Sequence, residues 1–529
     1  MTDGSTGTIA APDQSASEMP VVPKKKPGGK SFIADLLATG ATEAAVFLAI
    51  IINISLVSRL LGVIALAQFL LVRRVYAWMQ SGTQLGLSVS LPRHIAHDVD
   101  RETTGPRYFF TAIVWGALSA ATTALVFFAG GKYSAKLMYG GAEYQMLVAP
   151  LSALLVASII HVMVYGYHRG LNRMGTANWL MVLNMAVVPL LMTGVAWRYQ
   201  SVVLLLYLQA AGMAVVSIAM APRFRRLPAF RAELQFKPLS KSLLSYGILR
   251  MPGEIGFGAL IALGPVIAMH YTSISEVSVL LLGMSALTAV SLAVTPLGTL
   301  LLAKISIMLS EGRMDDVRMR VGMLCDAVLQ VSTFLFLQCL ILCGPIVTLW
   351  VGSGFHGQVS VLRAVLLSVP FYTVFVSTRS VIDAASTKPY NARNVLISLS
   401  VFAVCAGIAC WTKPQPFTLA IGGAIFASLA VLGVLSWRMV HSLLSIESKF
   451  VSLLPVFATN LVLGGLSVAV YRLCSYRMNF FVLAGLEIAE VVVLLAVINK
   501  LQSPWWVYLV GALRKNQGNP TAEPIAQVD

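Results

Sequence analysis

The chain is poor in charge, above all in negative charge. Aspartate and glutamate number 22 in 529 residues against 38 lysines and arginines, and the four types together make up 11% of the sequence. A water-soluble protein of this length would fold as several domains, each with polar faces that this composition does not supply. Cysteine is scarce as well, with six in all (Cys325, Cys339, Cys343, Cys405, Cys410 and Cys474). The close pairs Cys339/Cys343 and Cys405/Cys410 sit in apolar runs with no histidine or carboxylate partner nearby, so packing is a better reading than zinc or a disulfide framework. There is no P-loop, which excludes ATP hydrolysis by this chain, and no link long enough for an extramembrane catalytic domain.

What is abundant is hydrocarbon. The sequence is 57% hydrophobic with a mean hydropathy of +0.80. Apolar runs of about 20 residues recur, each long enough to cross the membrane as a helix. They fall near 33–57, 65–90, 108–128, 144–165, 178–196, 202–221, 243–270, 277–303, 321–342, 364–382, 395–411, 417–437, 451–471 and 480–498. The fold class expected is an all-α integral membrane protein of about 14 transmembrane helices. A cleaved signal peptide fits poorly, because the first run is longer than an h-region of about 7–15 residues.

The positive-inside rule tests this list. With the N-terminus inside, the inner segments hold 27 of the 38 basic residues and the outer segments 8, while Arg73, Arg74 and Arg250 stay within spans. Losing one span would invert every later link, so an even number with both termini cytoplasmic is expected. The charge of +16 is then mostly topogenic and suited to anionic membrane lipids. The basic stretch Arg223–Lys241 has no folded domain beside it, so no nucleic-acid partner is expected.

Composition divides the chain into a disordered cytoplasmic tail (1–31), a first lobe of six spans (32–221), a basic cytoplasmic linker (222–242), a second lobe of six spans (243–440), two appended spans (441–500) and a cytoplasmic tail (501–529). The lobes look weakly repeated. Ser88-Val89-Ser90-Leu91-Pro92 near the end of span two parallels Ala293-Val294-Thr295-Pro296-Leu297 in span eight. Arg169, Arg173 and Asn178 parallel Arg379, Arg393 and Asn394. Such repeats are typical of transporters that hold substrate between two halves.

Charges inside spans carry the functional signal, because they are costly in lipid. Arg73, Tyr76, Gln80 and Gln84 lie at offsets of 0, 3, 7 and 11, which sets them on one helical face. A polar stripe with arginine, joined by the neighbouring Arg74, suits capture of an anionic group such as phosphate. The alternative is an arginine pair that snorkels or meets a carboxylate. Arg250 and Glu254 flank Pro252-Gly253, a break that either lines a cavity or carries a self-neutralising pair. Glu43 and Glu254 are candidates for coupling to H+ or Na+, with Glu43 equally placed to partner Arg73 or Arg74. Arg379 and Asp383 are spaced for a structural ion pair. His161 and His270 stand at span ends, where interfacial packing is expected. Glu487 and Glu490 share a face of the last span, where a structural or lipid-edge role is expected.

Several short motifs resemble a known family. They are Ser58-Arg59-Leu60-Leu61-Gly62, Gln68-Phe69-Leu70, Gln84-Leu85-Gly86-Leu87, Leu91-Pro92-Arg93-His94-Ile95-Ala96, His168-Arg169-Gly170-Leu171 and Trp350-Val351-Gly352. Together they resemble the polysaccharide (O-antigen, capsule and exopolysaccharide) flippases of the multidrug/oligosaccharidyl-lipid/polysaccharide exporter superfamily. Gln68-Phe69 departs from the Gly-x-Tyr often found there. The resemblance implies a two-lobed bundle in a bacterial inner membrane that moves a polyprenyl-pyrophosphate-linked glycan to the outer leaflet by alternating access. It also implies that Arg73, Arg74 and Arg250 surround the pyrophosphate, that a polysaccharide polymerase and export machinery are partners, and that no cofactor is needed beyond a coupling ion. One rival is an ion-coupled multidrug extruder of the same superfamily, usually with acidic cavity residues. The other is a membrane-embedded polymerase, ligase or acyltransferase, disfavoured by short outer links and the lack of a central histidine.

Overall fold

The computed structural model describes residues 29–98, 100–222, 235–352, 354–355, 359–386, 388–446, 450–474 and 479–516. The expected disorder of the N-terminal tail therefore lies outside the described residues, apart from its last three positions. So do 223–234 of the linker and the end of the C-terminal tail.

In hydrocarbon every backbone amide must bond within its own segment, and an apolar chain answers by becoming helix. The first half comprises α1 (Gly29–Leu61), α2 (Val63–Thr83), α3 (Leu87–His97), α4 (Arg101–Tyr139), α5 (Val148–Gly170), α6 (Met174–Val182), α7 (Val188–Tyr199) and α8 (Val202–Ala219). The second comprises α9 (Phe236–Ile248), α10 (Met251–Ala268), α11 (Ile274–Ser310), α12 (Met314–Ile341), α13 (Cys343–Val351), α14 (Val359–Leu366), α15 (Val369–Ala385), α16 (Tyr390–Thr412) and α17 (Phe417–Leu444). Then follow α18 (Phe450–Leu473), α19 (Phe480–Lys500) and α20 (Pro504–Asn516). No strand occurs among the described residues.

Twelve helices among the described residues are long and apolar enough to cross a membrane, so the chain is a multi-pass membrane protein. Two more coincide with expected spans. One is α2, whose 21 residues are diluted by Arg73, Arg74 and two glutamines. The other is α11, apolar over Ile274–Ala289.

Span two is not the single helix expected over 65–90. It breaks at Leu85 and Gly86, both in the left-handed region with φ of 52° and 68°. Span seven breaks at Leu249–Arg250, where Pro252 can open α10 because the first turn needs no amide donor there. The two breaks meet. A Cβ on Gly86 would overlap the Gly247 carbonyl, and one on Gly247 would crowd the Leu85 carbonyl, so close approach of two backbones requires glycine at both.

α2 is the hinge element of the packing. It lies against α10 and α11 as well as against α1 and α5, so one core runs through both halves from Phe69 and Leu71 to Leu281, Phe375 and Phe402. The pair α18–α19 packs on the rest mainly through α12. Within the tail expected after residue 500, α20 folds back onto α12, with Trp505 Nε1 donating to Gln330 Oε1 at 2.8 Å.

Candidate functional site

The broken ends of spans two and seven enclose a cavity of about 120 Å³. Gln80, Ser81, Gln84, Gly86, Ser88 and Val89 line it from the first half, and Arg250, Met251 and Glu254 from the second. The structure thus brings together four of the residues singled out from the sequence: Gln80, Gln84, Arg250 and Glu254. Gln80 and Gln84 reach it because they are one turn apart on α2; Arg250 and Glu254 do so because they share a face of α10.

Arg250 does not pair with Glu254. Its guanidinium lies over the Tyr246 ring, 4.6 Å from the centroid, and Arg93 of α3 lies 4.5 Å from the same centroid. Arg93 also donates to the Tyr246 hydroxyl at 2.5 Å. Among the described residues Arg250 makes no ion pair. Its planar N–H donors are held in place by an aromatic face, which leaves them free for an anion. Glu254 turns instead to Arg379 of α15, 3.5 Å away, so Arg379 joins this pair rather than the expected one with Asp383.

Arg73 and Arg74 do not line this cavity. Adjacent helical residues diverge by about 100°, and their surroundings differ accordingly. Arg74 is 8% exposed and donates to Ser285 Oγ at 2.9 Å and to Thr288 Oγ1 at 3.0 Å, both on α11. Each hydroxyl spends its hydrogen on a carbonyl of its own helix, Leu281 and Met284, so its lone pairs face the guanidinium. The cation is solvated by protein dipoles, with no carboxylate partner among the described residues. Arg73 is half-buried with its guanidinium 5.5 Å from the Phe69 ring centroid. Tyr76 lies beside Ser158 of α5, and Glu43 within Coulombic reach of Arg169, both away from the cavity.

The histidines separate. His161 is not interfacial: it is buried, and its Nδ1 bonds Asn184 Nδ2 at 2.9 Å inside the first half. His270 is exposed and satisfied by the Val266 carbonyl at 2.9 Å.

At the opposite ends of these spans the halves meet again, through two of the motifs. Ser58 Oγ donates to the Val351 carbonyl at 2.6 Å, Arg59 Nη2 to the Leu349 carbonyl at 2.6 Å, and Trp350 Nε1 to the Ile51 carbonyl at 2.8 Å. Segments about 290 positions apart in sequence thus clasp each other across α1 and α13. The halves therefore touch at both ends of these spans.

Sequence reasoning missed Ser81, Ser88 and Tyr246. The first two are uncharged, and Tyr246 stands outside the arginine stripe. The signal available was the pair Gly86 and Gly247 near span ends, with Gln84, Ser88, Ser245 and Tyr246 within two residues of them.

No family model matches the chain, and no curated protein matches it in sequence. Solved structures do match. The lipid II flippase MurJ in an inward closed conformation superposes with a TM-score of 0.63 at 13% identity, over 90% of this chain and 100% of that one. An inward-facing multidrug resistance MATE family transporter of the MOP superfamily gives 0.57 at 12% identity, over 78% and 98%. The Vibrio cholerae MATE transporter VcmN in its bent form gives 0.52 at 14% identity, over 78% and 98%. At these identities the likeness is one of fold. The chain thus shares the fold of these solved transporters.

Proposed function

We propose that the protein moves a polyprenyl-pyrophosphate-linked oligosaccharide from the inner to the outer leaflet of a bacterial inner membrane, for polysaccharide biosynthesis or export. The observation that carries this is Arg250. It is a cation at a hydrophilic cavity between the two halves, stacked on Tyr246 and without a carboxylate partner among the described residues. A guanidinium so placed suits the oxygens of a diphosphate, and the flanking Gln80, Gln84, Ser81 and Ser88 suit sugar hydroxyls.

The cavity's 120 Å³ is well below the roughly 300–1,000 Å³ of ligand pockets, so loading requires the halves to part where Gly86 meets Gly247. We assign Arg73, Arg74 and Tyr76 to a second station, about 10 Å further along α2 at 1.5 Å per residue. Release to the other leaflet then requires the α1–α13 clasp to open. The fold match to a lipid II flippase over 90% of this chain supports this reading, as does the inner excess of basic residues for the orientation, with both termini cytoplasmic. Polymerase and export machinery are the partners such a product requires.

A second reading has its own observation. Glu254 also lines the cavity, and a carboxylate there suits a cationic drug with H+ or Na+ coupling, at Glu254 or at Glu43. Its bridge to Arg379 counts against it.

The test is transport by purified protein in liposomes. A fluorescent polyprenyl-pyrophosphate disaccharide should become accessible to a quencher on the far side, with no uptake of a cationic dye. Dye uptake driven by a sodium or proton gradient, with no movement of the lipid, would replace this reading by the second.

A further inference from the structure

Away from the central cavity, the appended helices bury an acid that the transport reading does not use. Glu490 of α19 is 1% exposed, at the middle of a span. Its Oε2 accepts from the Gln338 Nε2 of α12, and its Oε1 lies 2.7 Å from Ser467 Oγ of α18. Three helices therefore converge on one carboxyl group. Of the structural and lipid-edge roles expected from the sequence, this is the structural one for Glu490, and the lipid edge suits the half-buried Glu487 one turn earlier.

Counting hydrogens shows what the cluster lacks. Ser467 Oγ is within hydrogen-bond distance of Glu490 Oε1 at 2.7 Å, of Gln338 Oε1 at 2.8 Å and of the Leu463 carbonyl at 3.2 Å. All three are acceptors, and a serine hydroxyl carries a single hydrogen. With Glu490 ionised, two bare oxygens would face Ser467 at bonding distance with one hydrogen between them. A proton on Glu490 Oε1, donated to Ser467 Oγ, leaves the serine hydrogen for Gln338 Oε1 and fills both short contacts.

The surrounding charges agree. Among the described residues no ion pair involves Glu490. On α19 the nearest titratable group is Glu487, of the same sign, and Lys500 lies ten residues on. On α18, Arg472 is exposed one turn beyond Ser467, and Tyr471 precedes it. On α12, Cys339 follows Gln338, and Arg318 and Arg320 stand about 27 Å or more away at the other end of the helix. The nearer Arg363 of α14 donates its Nε to the Leu340 carbonyl of α12 at 3.0 Å and makes no ion pair with Glu490 among the described residues. A carboxylate this deep in the bilayer without a cation is strongly disfavoured.

We propose that Glu490, Gln338 and Ser467 form a proton-binding site that fastens the appended pair α18–α19 to the second half through α12. The proton adds to the carboxylate to give the neutral acid. Losing it leaves an unpaired anion between three helices and weakens their contact.

Infrared difference spectra of the full-length protein in lipid nanodiscs test this. Subtracting Glu490→Gln from wild type at neutral pH should reveal the carbonyl stretch of a protonated carboxyl, which Glu487→Gln leaves in place. Ser467→Ala keeps the acid but removes one partner, so the same band should move to higher frequency. It also serves if Glu490→Gln fails to fold. A carboxylate band in place of the acid band overturns the proposal, and so does an acid band bleached by sodium at constant pH. Thermal unfolding gives a second readout, because glutamine mimics the protonated acid. The two proteins should match at about pH 4, below the ordinary glutamate pKa, and wild type should fall below Glu490→Gln as the pH rises from there, since only unfolded wild type then releases a proton that the folded protein keeps. A difference that does not change with pH overturns the site.

Discussion

Arg74 and Arg250 are both cations where the two halves meet, one buried and the other exposed, and they are held in opposite ways. Arg74 is sealed at 8% exposure and spends its donors on Ser285 and Thr288 of α11. Arg250 stands at a cavity, stacked on Tyr246, with no carboxylate among the described residues taking its charge. The first is a charge the protein has already solvated. The second is one the protein has oriented and left to something else. Intramembrane arginine is therefore no single signal: Arg250 offers unused donors, whereas Arg74 has to release Ser285 and Thr288 before it can serve a second station.

The largest effect should follow from removing the unused donors. Arg250→Ala should weaken binding of a polyprenyl pyrophosphate, measured on the purified protein, by roughly 10- to 100-fold, the equivalent of about 1.5–3 kcal/mol for hydrogen bonds to a charged group. Thermal stability should hardly change, because only a stacked, partly open side chain is lost. Unchanged binding would erase the distinction between the two arginines.

Next comes the clasp beyond the Arg74 station. Ser58→Ala combined with Trp350→Phe removes two side-chain bonds to backbone carbonyls, each worth about 1 kcal/mol. The outward-open population should rise by roughly 30-fold at two such bonds. With the six native cysteines replaced, labelling of Leu61→Cys by an impermeant thiol reagent reads this. Labelling that stays at the parent rate would show that the clasp is not a gate.

Arg74 itself makes a smaller and more diagnostic case. Arg74→Met keeps the length, removes an unpaired buried cation, and leaves Ser285 and Thr288 bonded to their own carbonyls. Replacing a buried charge by apolar atoms is often neutral or stabilising, so the melting temperature should hold or rise. Translocation should fall by about 10-fold if Arg74 also serves the substrate. A lower melting temperature with full translocation would make it a strut.

How much of this was legible in the sequence follows from which forces act along the chain and which act across it. Apolar runs marked the twelve helices long and apolar enough to cross a membrane and two further helical positions, because hydrocarbon burial is local to a segment; the arginines betrayed a polar interior, because charge in lipid is costly. The stripe Arg73, Tyr76, Gln80 and Gln84 was half useful: its lower two members reach the cavity with Arg250 and Glu254, and its upper two do not. The break at Leu85–Gly86 was hidden, since it exists to meet Gly247, about 160 positions away. Tyr246, between Arg93 and Arg250, had no local pattern at all. The same holds for Glu490: helix periodicity put it on a face with Glu487, but only the approach of Gln338 and Ser467 made it the buried one.

The smallest expected effect separates the two ways Tyr246 can hold Arg250. Tyr246→Phe keeps the ring under both guanidinium groups and removes the hydroxyl that accepts from Arg93. Arg93 is largely exposed, so that bond should matter little, and pyrophosphate binding should weaken by about threefold or less. Tyr246→Leu also removes the aromatic face, adding the roughly 0.5–1 kcal/mol of an exposed cation–π contact, and should exceed the phenylalanine effect. If the two substitutions weaken binding equally, the hydroxyl and Arg93 position the site rather than the ring. Arg250 would then be anchored by a hydrogen-bond chain, closer in kind to Arg74 than its open cavity suggests.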